Sequence, residues 1–490
     1  MNSLGCFART LKLLLGLVVL AAISFPNELF ALDPNARTSR SIRDWTTCDG
    51  KRDDRNGVAA AFNEAKNHAF ALVVDCPVYI HVGNDISRPI FVEDGTSVQF
   101  GPEGLFITDN VLIPTWVIAN SSQIDFLNWR VKYVGRLPVD PDTKGYVAGG
   151  TFVPMTGKYQ PAGAFHDKIL TPWLTSNRGI LFDRSRGSVT SPWPGPTGTS
   201  AVFYILGSAT LIRIRGMKIF VPRNADVARF VPVCFLSTVG FKSNQVITAA
   251  VPVDANSAAI PSEIEVSDLE LDGAYMGWLG SLKNSRFRGI KSFRYGDLQD
   301  EEGQNVGGVG KWFAPPHLFY ITAPKRNDLR NSNLEISNVQ DWGERVGEAR
   351  DKDAANRSGY ALSLKISAVD SGVKNYTSYR PDGVLDLLPS ERLVIQGLKG
   401  VYDSYFLNDI YPAIRFPVGP YRDVLLEDIE IEDKALRPKV APIGGILDAN
   451  SANVSLRNVT AVLHSPTTSA AKVPSFAGKN HSISIRIESD

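Results

Sequence analysis

Residues 264–271 read IEVSDLEL. Ile264 and Val266 fall on one face of an extended segment, and Leu269 and Leu271 on one face of a second. Asp268 stands between them. Asp, Asn and Gly are the residues that tolerate a left-handed backbone, so one such residue bends the chain without reversing it. A hairpin would instead want a two-residue turn such as Asn-Gly.

The pattern recurs. IDFLNWRV begins at Ile124, IRIRGMKI at Ile212, LEISNVQD at Leu334, LVIQGLKG at Leu393, VLLEDIEI at Val424 and VSLRNVTA at Val454. Weaker copies are SRFRGIKS at Ser285 and LKISAVDS at Leu364. The later copies start at 334, 364, 393, 424 and 454, a period of about 30 residues. Short strands repeating at that period bury their apolar faces by stacking on one another. A β-sandwich has similar alternation, but paired-strand hairpin signals are scarce here.

The repeat resembles that of the pectate-lyase-like superfamily, in which an Asn-rich bend joins two of the three strands of each coil. CDGKRDDRNGVAAAFNEAKNHAFALVVDCPVYI, residues 48–80, resembles the start of the same superfamily. The resemblance implies an all-β fold: a single-stranded right-handed parallel β-helix with an N-terminal capping helix and long loop insertions. Val58, Ala61, Phe62 and Ala65 then make one apolar helix face, and FALVVDCPVYI the first strand. Asp53 and Asp54 precede that helix and read as structural. Residues 48–80 are thus cap and first strand, and 135–205 a long insertion within a domain spanning 32–490.

Residues 1–31 have the layout of a signal peptide: Arg9 and Lys12, an apolar run from Leu13 to Phe25, and a small-residue cut site after Ala31. The run is short of the ~20 residues of a membrane span. The mature chain is therefore expected in the periplasm or outside the cell, with no membrane association. Export makes a Cys48–Cys76 disulfide expected, and Cys234 in VPVCFL a buried thiol. Lys and Arg number 52 against 51 Asp and Glu, a balance that gives no support to nucleic-acid binding, which wants a basic stripe. No Cys/His spacing matches a metal motif. Oligomeric state is not legible.

In the resembling superfamily the third strand of each coil lines the substrate cleft, so the segments after each bend carry the candidates. RYGDLQD contributes Tyr295, Asp297 and Asp300, a carboxylate pair suited to acid–base work or to Ca2+, the one cofactor admitted. Arg345 matches a sugar carboxylate by its planar fork. His317 and Lys311 are candidate proton carriers. Arg294, Lys374, Trp312, Tyr275, Trp278 and Tyr402 are candidate substrate contacts, while Lys365 is expected in solvent. The partner implied is a polysaccharide. β-Elimination on a uronic-acid polymer, hydrolysis by paired Asp residues, and non-catalytic binding all fit. Asn-Thr-Asp, Gly-His-Gly and Arg-Ile-Lys, associated with β-helix polygalacturonases, are absent, as is the epimerase Asp-Pro-His-Asp.

Overall fold

The computed structural model describes residues 38–81, 89–109, 115–134, 180–181, 201–220, 233–238, 240–242, 258–273, 276–293, 317–321, 330–342, 362–379, 383–402, 412–417, 419–433, 443–445, 449–463 and 481–489. The signal-peptide assignment and most of the 135–205 insertion lie outside them. Residues 203–205, counted with that insertion from sequence, begin a strand instead, Phe203–Leu206.

Each coil runs strand, bend, strand, loop, third strand. Coil 6 is representative: Lys283–Phe293 carries both strands around the bend, and Phe319–Ile321 is the third. Pairing between successive coils is parallel. Bend strands fall in one sheet of eighteen strands and third strands in another of ten, the second running from Ile90–Phe91 to Ile443–Gly445. This is the parallel β-helix expected from the repeat. Ile180–Leu181, Gly240–Lys242 and Ala258–Ala259 add a small antiparallel sheet.

Stacking puts equivalent residues in files. Phe126, Ile214, Val266, Phe287, Ile336, Val373, Ile395, Leu426 and Leu456 follow one another in register, one per coil. All are fully buried. On the sheet of third strands, Trp116, Phe203, Phe235 and Trp278 stack with interplanar angles of 21°, 10° and 14°. Flat rings at the coil spacing of ~4.8 Å suit such a file.

The bend residues behave as their type requires. Asn128, Gly216, Asp268, Gly289, Asn338, Asn375, Gly397, Asp428 and Asn458 all have positive φ. A second positive-φ residue sits five positions before each, from Gln123 to Asn453. Asn375 Nδ2 donates to Asn338 Oδ1 (3.1 Å) and Asn458 Nδ2 to Asp428 Oδ1 (2.6 Å), tying neighbouring bends. One copy was misframed: LKISAVDS spans the end of Leu362–Ile366 and the start of Val369–Tyr379, and the true bend is Asn375. The next-door VDSGVKNY carries the same alternation, and its Gly-Val-Lys-Asn hid the bend.

The earlier ladder is less strict in residue type. Leu211 occupies it at φ 55°, a conformation that costs an L-residue about 1–2 kcal/mol. Leu211→Asn is therefore expected to gain about 0.5–1 kcal/mol in urea unfolding. A loss of stability would contradict this account of the bend.

Helix α1 (Arg55–Ala65) buries Val58, Ala61, Phe62 and Ala65, the face read from sequence. Asp54 accepts from the Thr47 amide and hydroxyl at 2.9 Å each, and Asp53 from the amides of Arg55 and His81. Both aspartates are thus tied into the entry to the helix. Cys48 and Cys76 form the expected disulfide, Cα atoms 5.4 Å apart. Cys234 is a buried free thiol whose pKa burial pushes well up, which leaves it inert as a nucleophile.

Candidate functional site

The third strands alternate in the period of two. Phe319 and Ile321, Leu364 and Ile366, Leu385 and Leu387, and Ile414 and Phe416 face the core. The residues between them, Tyr320, Lys365, Asp386 and Arg415, therefore share the opposite face. They lie directly in register across coils 6 to 9.

These four form one charged file. The Arg415 guanidinium grips Asp386 with two bonds, Nε to Oδ1 at 2.9 Å and Nη2 to Oδ2 at 2.6 Å. Lys365 Nζ approaches Asp386 Oδ2 at 3.3 Å and sits 4.7 Å from the centre of the Tyr320 ring. The His317 ring meets Tyr320 edge-on at 4.6 Å. Tyr421, buried below, donates its hydroxyl to carbonyls at Leu387 or Pro417. Burial chiefly, and then the Asp386 charge, raise its pKa. Downstream of Arg415 the register position is Gly444, which lays no side chain over the guanidinium.

The full burial of its carboxylate sets this file apart; the nearest parallel, Asp125 with Arg213 and Arg215 on the bend sheet, keeps its carboxylate 18% exposed. The Asp386 side chain is 0% exposed, those of Lys365 and Arg415 17% and 28%. Arg288–Glu335 and Lys218–Glu270, on the bend sheet, have both partners more than a third exposed and count for little. A bidentate pair out of water is strong and fixed in direction. Lys365 and Arg415 thus converge on one buried carboxylate while each stays in part exposed. Such an arrangement attracts an anionic group from solution.

The sequence candidates distribute unevenly. His317 is brought to the file, fully buried. Trp278 is not a sugar platform: it is buried in the aromatic file, its Nε1 donating to Ser237 Oγ at 2.9 Å. Its position between Met276 and Gly280 alternates inward, and a buried indole offers no face to a ligand. Lys374 is exposed on the bend strand beside Asn375, so it does not join Lys365 and Arg415. Tyr402 ends the strand Glu391–Tyr402 in the bend sheet. Lys365, expected in solvent, is mostly buried between Tyr320 and Asp386. Arg294, Tyr295, Asp297, Asp300, Lys311, Trp312, Arg345 and Tyr275 lie outside the described residues. Asp386, Arg415 and Tyr320 were missed. The signal available was one charged or aromatic residue at the non-core position of successive third strands.

No family model and no curated protein matches the sequence. Among solved structures, the chain is similar to the A-module of mannuronan C-5 epimerase AlgE4 from Azotobacter vinelandii, at 8% identity and a TM-score of 0.39, over 92% of this chain and 99% of that one. It is similar to a polygalacturonase from Erwinia carotovora ssp. carotovora at 9% identity and a TM-score of 0.33, over 92% and 94%. DFA-IIIase from Arthrobacter chlorophenolicus A6, without its lid, gives 8% identity and a TM-score of 0.46, over 90% and 99%.

Proposed function

We propose that this parallel β-helix protein is an exported carbohydrate-active enzyme that cleaves a uronic-acid-containing polysaccharide by β-elimination on the outer face of its sheet of third strands. The Lys365–Asp386–Arg415 file carries the proposal. The polymer class follows the resemblance read in the repeat.

β-Elimination removes the proton on the carbon beside the sugar carboxylate. The electron pair is held as a carbanion delocalised onto that carboxylate. It then forms a carbon–carbon double bond as the glycosidic oxygen leaves. The step needs positive charge at the carboxylate and a base at the carbon. Arg415 and Lys365 supply the first. Asp386 sets their direction, and its charge is already committed to them. Arg345 and Arg294 are proposed to extend the cationic surface, with Lys311 or Tyr295 taking the proton; His317 is fully buried against Tyr320 and has no direct reach to a polymer. Ca2+ at Asp297 and Asp300 would serve the same neutralisation, since it prefers carboxylate oxygens. Paired-carboxylate hydrolysis needs a second carboxyl group about 5–10 Å from the first. Among the described third strands Asp386 is the one acidic residue.

The test is the mature protein with a panel of acidic and neutral polysaccharides, following ultraviolet absorbance of an unsaturated sugar end together with reducing ends. Both are expected to rise on an acidic polymer. Reducing ends without absorbance would replace elimination by hydrolysis, and neither signal would remove catalysis. Lys365→Met is expected to lower kcat/KM about 10²-fold, the scale of losing one charge-stabilising group. Unchanged kcat/KM would take Lys365 out of the site.

A further inference from the structure

The final strand, Ser482–Ser489, reads SISIRIES. It pairs in parallel with Ala452–Leu463, and among the described residues its other edge has no strand partner. An open edge presents a row of backbone donors and acceptors ready to pair. Edges are protected against pairing by charged side chains, Lys above all, by Pro, by bulges or by a covering segment. This strand has neither Lys nor Pro, and its two charges are opposite, Arg486 and Glu488.

That spacing is self-complementary. If two copies pair antiparallel with Ile487 opposite its own copy, position 486 lies opposite 488 and 488 opposite 486. Directly opposed residues of an antiparallel pair point to the same face. Arg486 and Glu488 pair in register with Thr460 and Val462, whereas Ile485, one position before Arg486 and so on the opposite face of the strand, packs on the core. Both charges thus stand on the outer face, 78% and 39% exposed. The 2.6 Å contact that they make within the strand would be exchanged for two contacts across the two-fold.

We propose that the edge of Ser482–Ser489 without a strand partner among the described residues is the docking surface for a second copy of this chain, joined by an antiparallel two-fold strand pair with Arg486 opposite Glu488 twice. Two helices would then abut end to end, each closing the other's open sheet edge. The paired segment is short, so the dimer is weak and concentration-dependent. The inference is independent of the proposed chemistry.

Sedimentation velocity over a concentration series tests it on the mature chain, with circular dichroism confirming that each variant is folded. The wild type is expected to shift from monomer to dimer. R486E gives a strand with two acids and E488R one with two bases. Each alone is expected to weaken association about tenfold or more, since like charges then face each other twice. Mixing the two variants in equal amounts should restore the dimer, as should the exchange R486E/E488R in one chain. Rising ionic strength should weaken it. A monomer at every concentration would overturn the proposal. So would a dimer indifferent to both substitutions, or variants that fail to recover on mixing.

Discussion

Asp386→Ala is expected to lower stability by about 3 kcal/mol and to abolish turnover. The carboxylate is fully buried and shared by Arg415 and Lys365. Removing it leaves two like charges side by side, partly shielded from water, and takes away the carboxylate that they share. Breaking one partner out of a buried ion pair costs about 3–5 kcal/mol, and the partial exposure of both cations places this case at the low end. The midpoint of urea unfolding measures the loss. A change under about 0.5 kcal/mol would mean that the file is solvated, and the site proposed on it would fall.

A companion variant separates folding from chemistry. Replacing the file as a whole, Lys365→Met with Asp386→Leu and Arg415→Met, removes every buried charge at once. Such replacements are often neutral or stabilising. The triple variant should therefore regain most of the stability lost in Asp386→Ala and remain inactive. If it regained activity, the cations would have no part in substrate binding.

The fold was legible because its punctuation is chemical. A parallel β-helix needs left-handed residues at its bends, and only Asn, Asp and Gly supply them at low strain. At Asn128, Gly216, Asp268, Gly289, Asn338, Gly397, Asp428 and Asn458 the letter marks the geometry. The preceding ladder was not legible. Gln123, Leu211, Glu263 and Arg392 adopt positive φ there because the stacked coil imposes it, and their types announce nothing. In Arg392 the neighbouring coil supplies compensation: its guanidinium binds the Asp370 carboxylate and holds that group's pKa down.

The site was less legible for a related reason. A third strand is only two to six residues long, too short to show its own period of two. Lys365 inside LSLKI and Asp386 inside GVLDL look like ordinary solvent-facing residues of a strand. What makes them a file is the register between coils. Register depends on loop lengths that vary from coil to coil, so the contact between 365, 386 and 415 has no constant spacing in sequence. Trp278 shows the same limit from the other side. A flat aromatic side chain in the segment after a bend suggested a ligand platform, yet its strand position turns it into the core.

Gly280→Ala is expected to cost at least about 3 kcal/mol and to open the helix between coils 4 and 5. Gly280 ends the third strand of coil 5 with φ at 131°, a region closed to L-residues. A Cβ there would lie 1.8 Å from the Ser237 carbonyl oxygen in coil 4. That oxygen already accepts the Ser281 amide at 3.1 Å, and Ser237 Oγ accepts the Trp278 indole. The added methyl group can be housed only by separating the two backbones, which breaks both bonds. Backbone strain of about 1–3 kcal/mol then adds to overpacking of similar size. In a solenoid each coil is held by its neighbours, so the loss falls on one junction and divides the array there. Hydrogen exchange should show lost protection at 233–238 and 276–280 first. Gly372→Ala is the control: its nearest neighbour atom is 3.9 Å away, and its strand backbone accepts a side chain. That substitution is expected to be neutral or to gain up to about 1 kcal/mol. Equal stability of the two variants in urea would mean that the coil-to-coil approach at Gly280 does not hold the stack together.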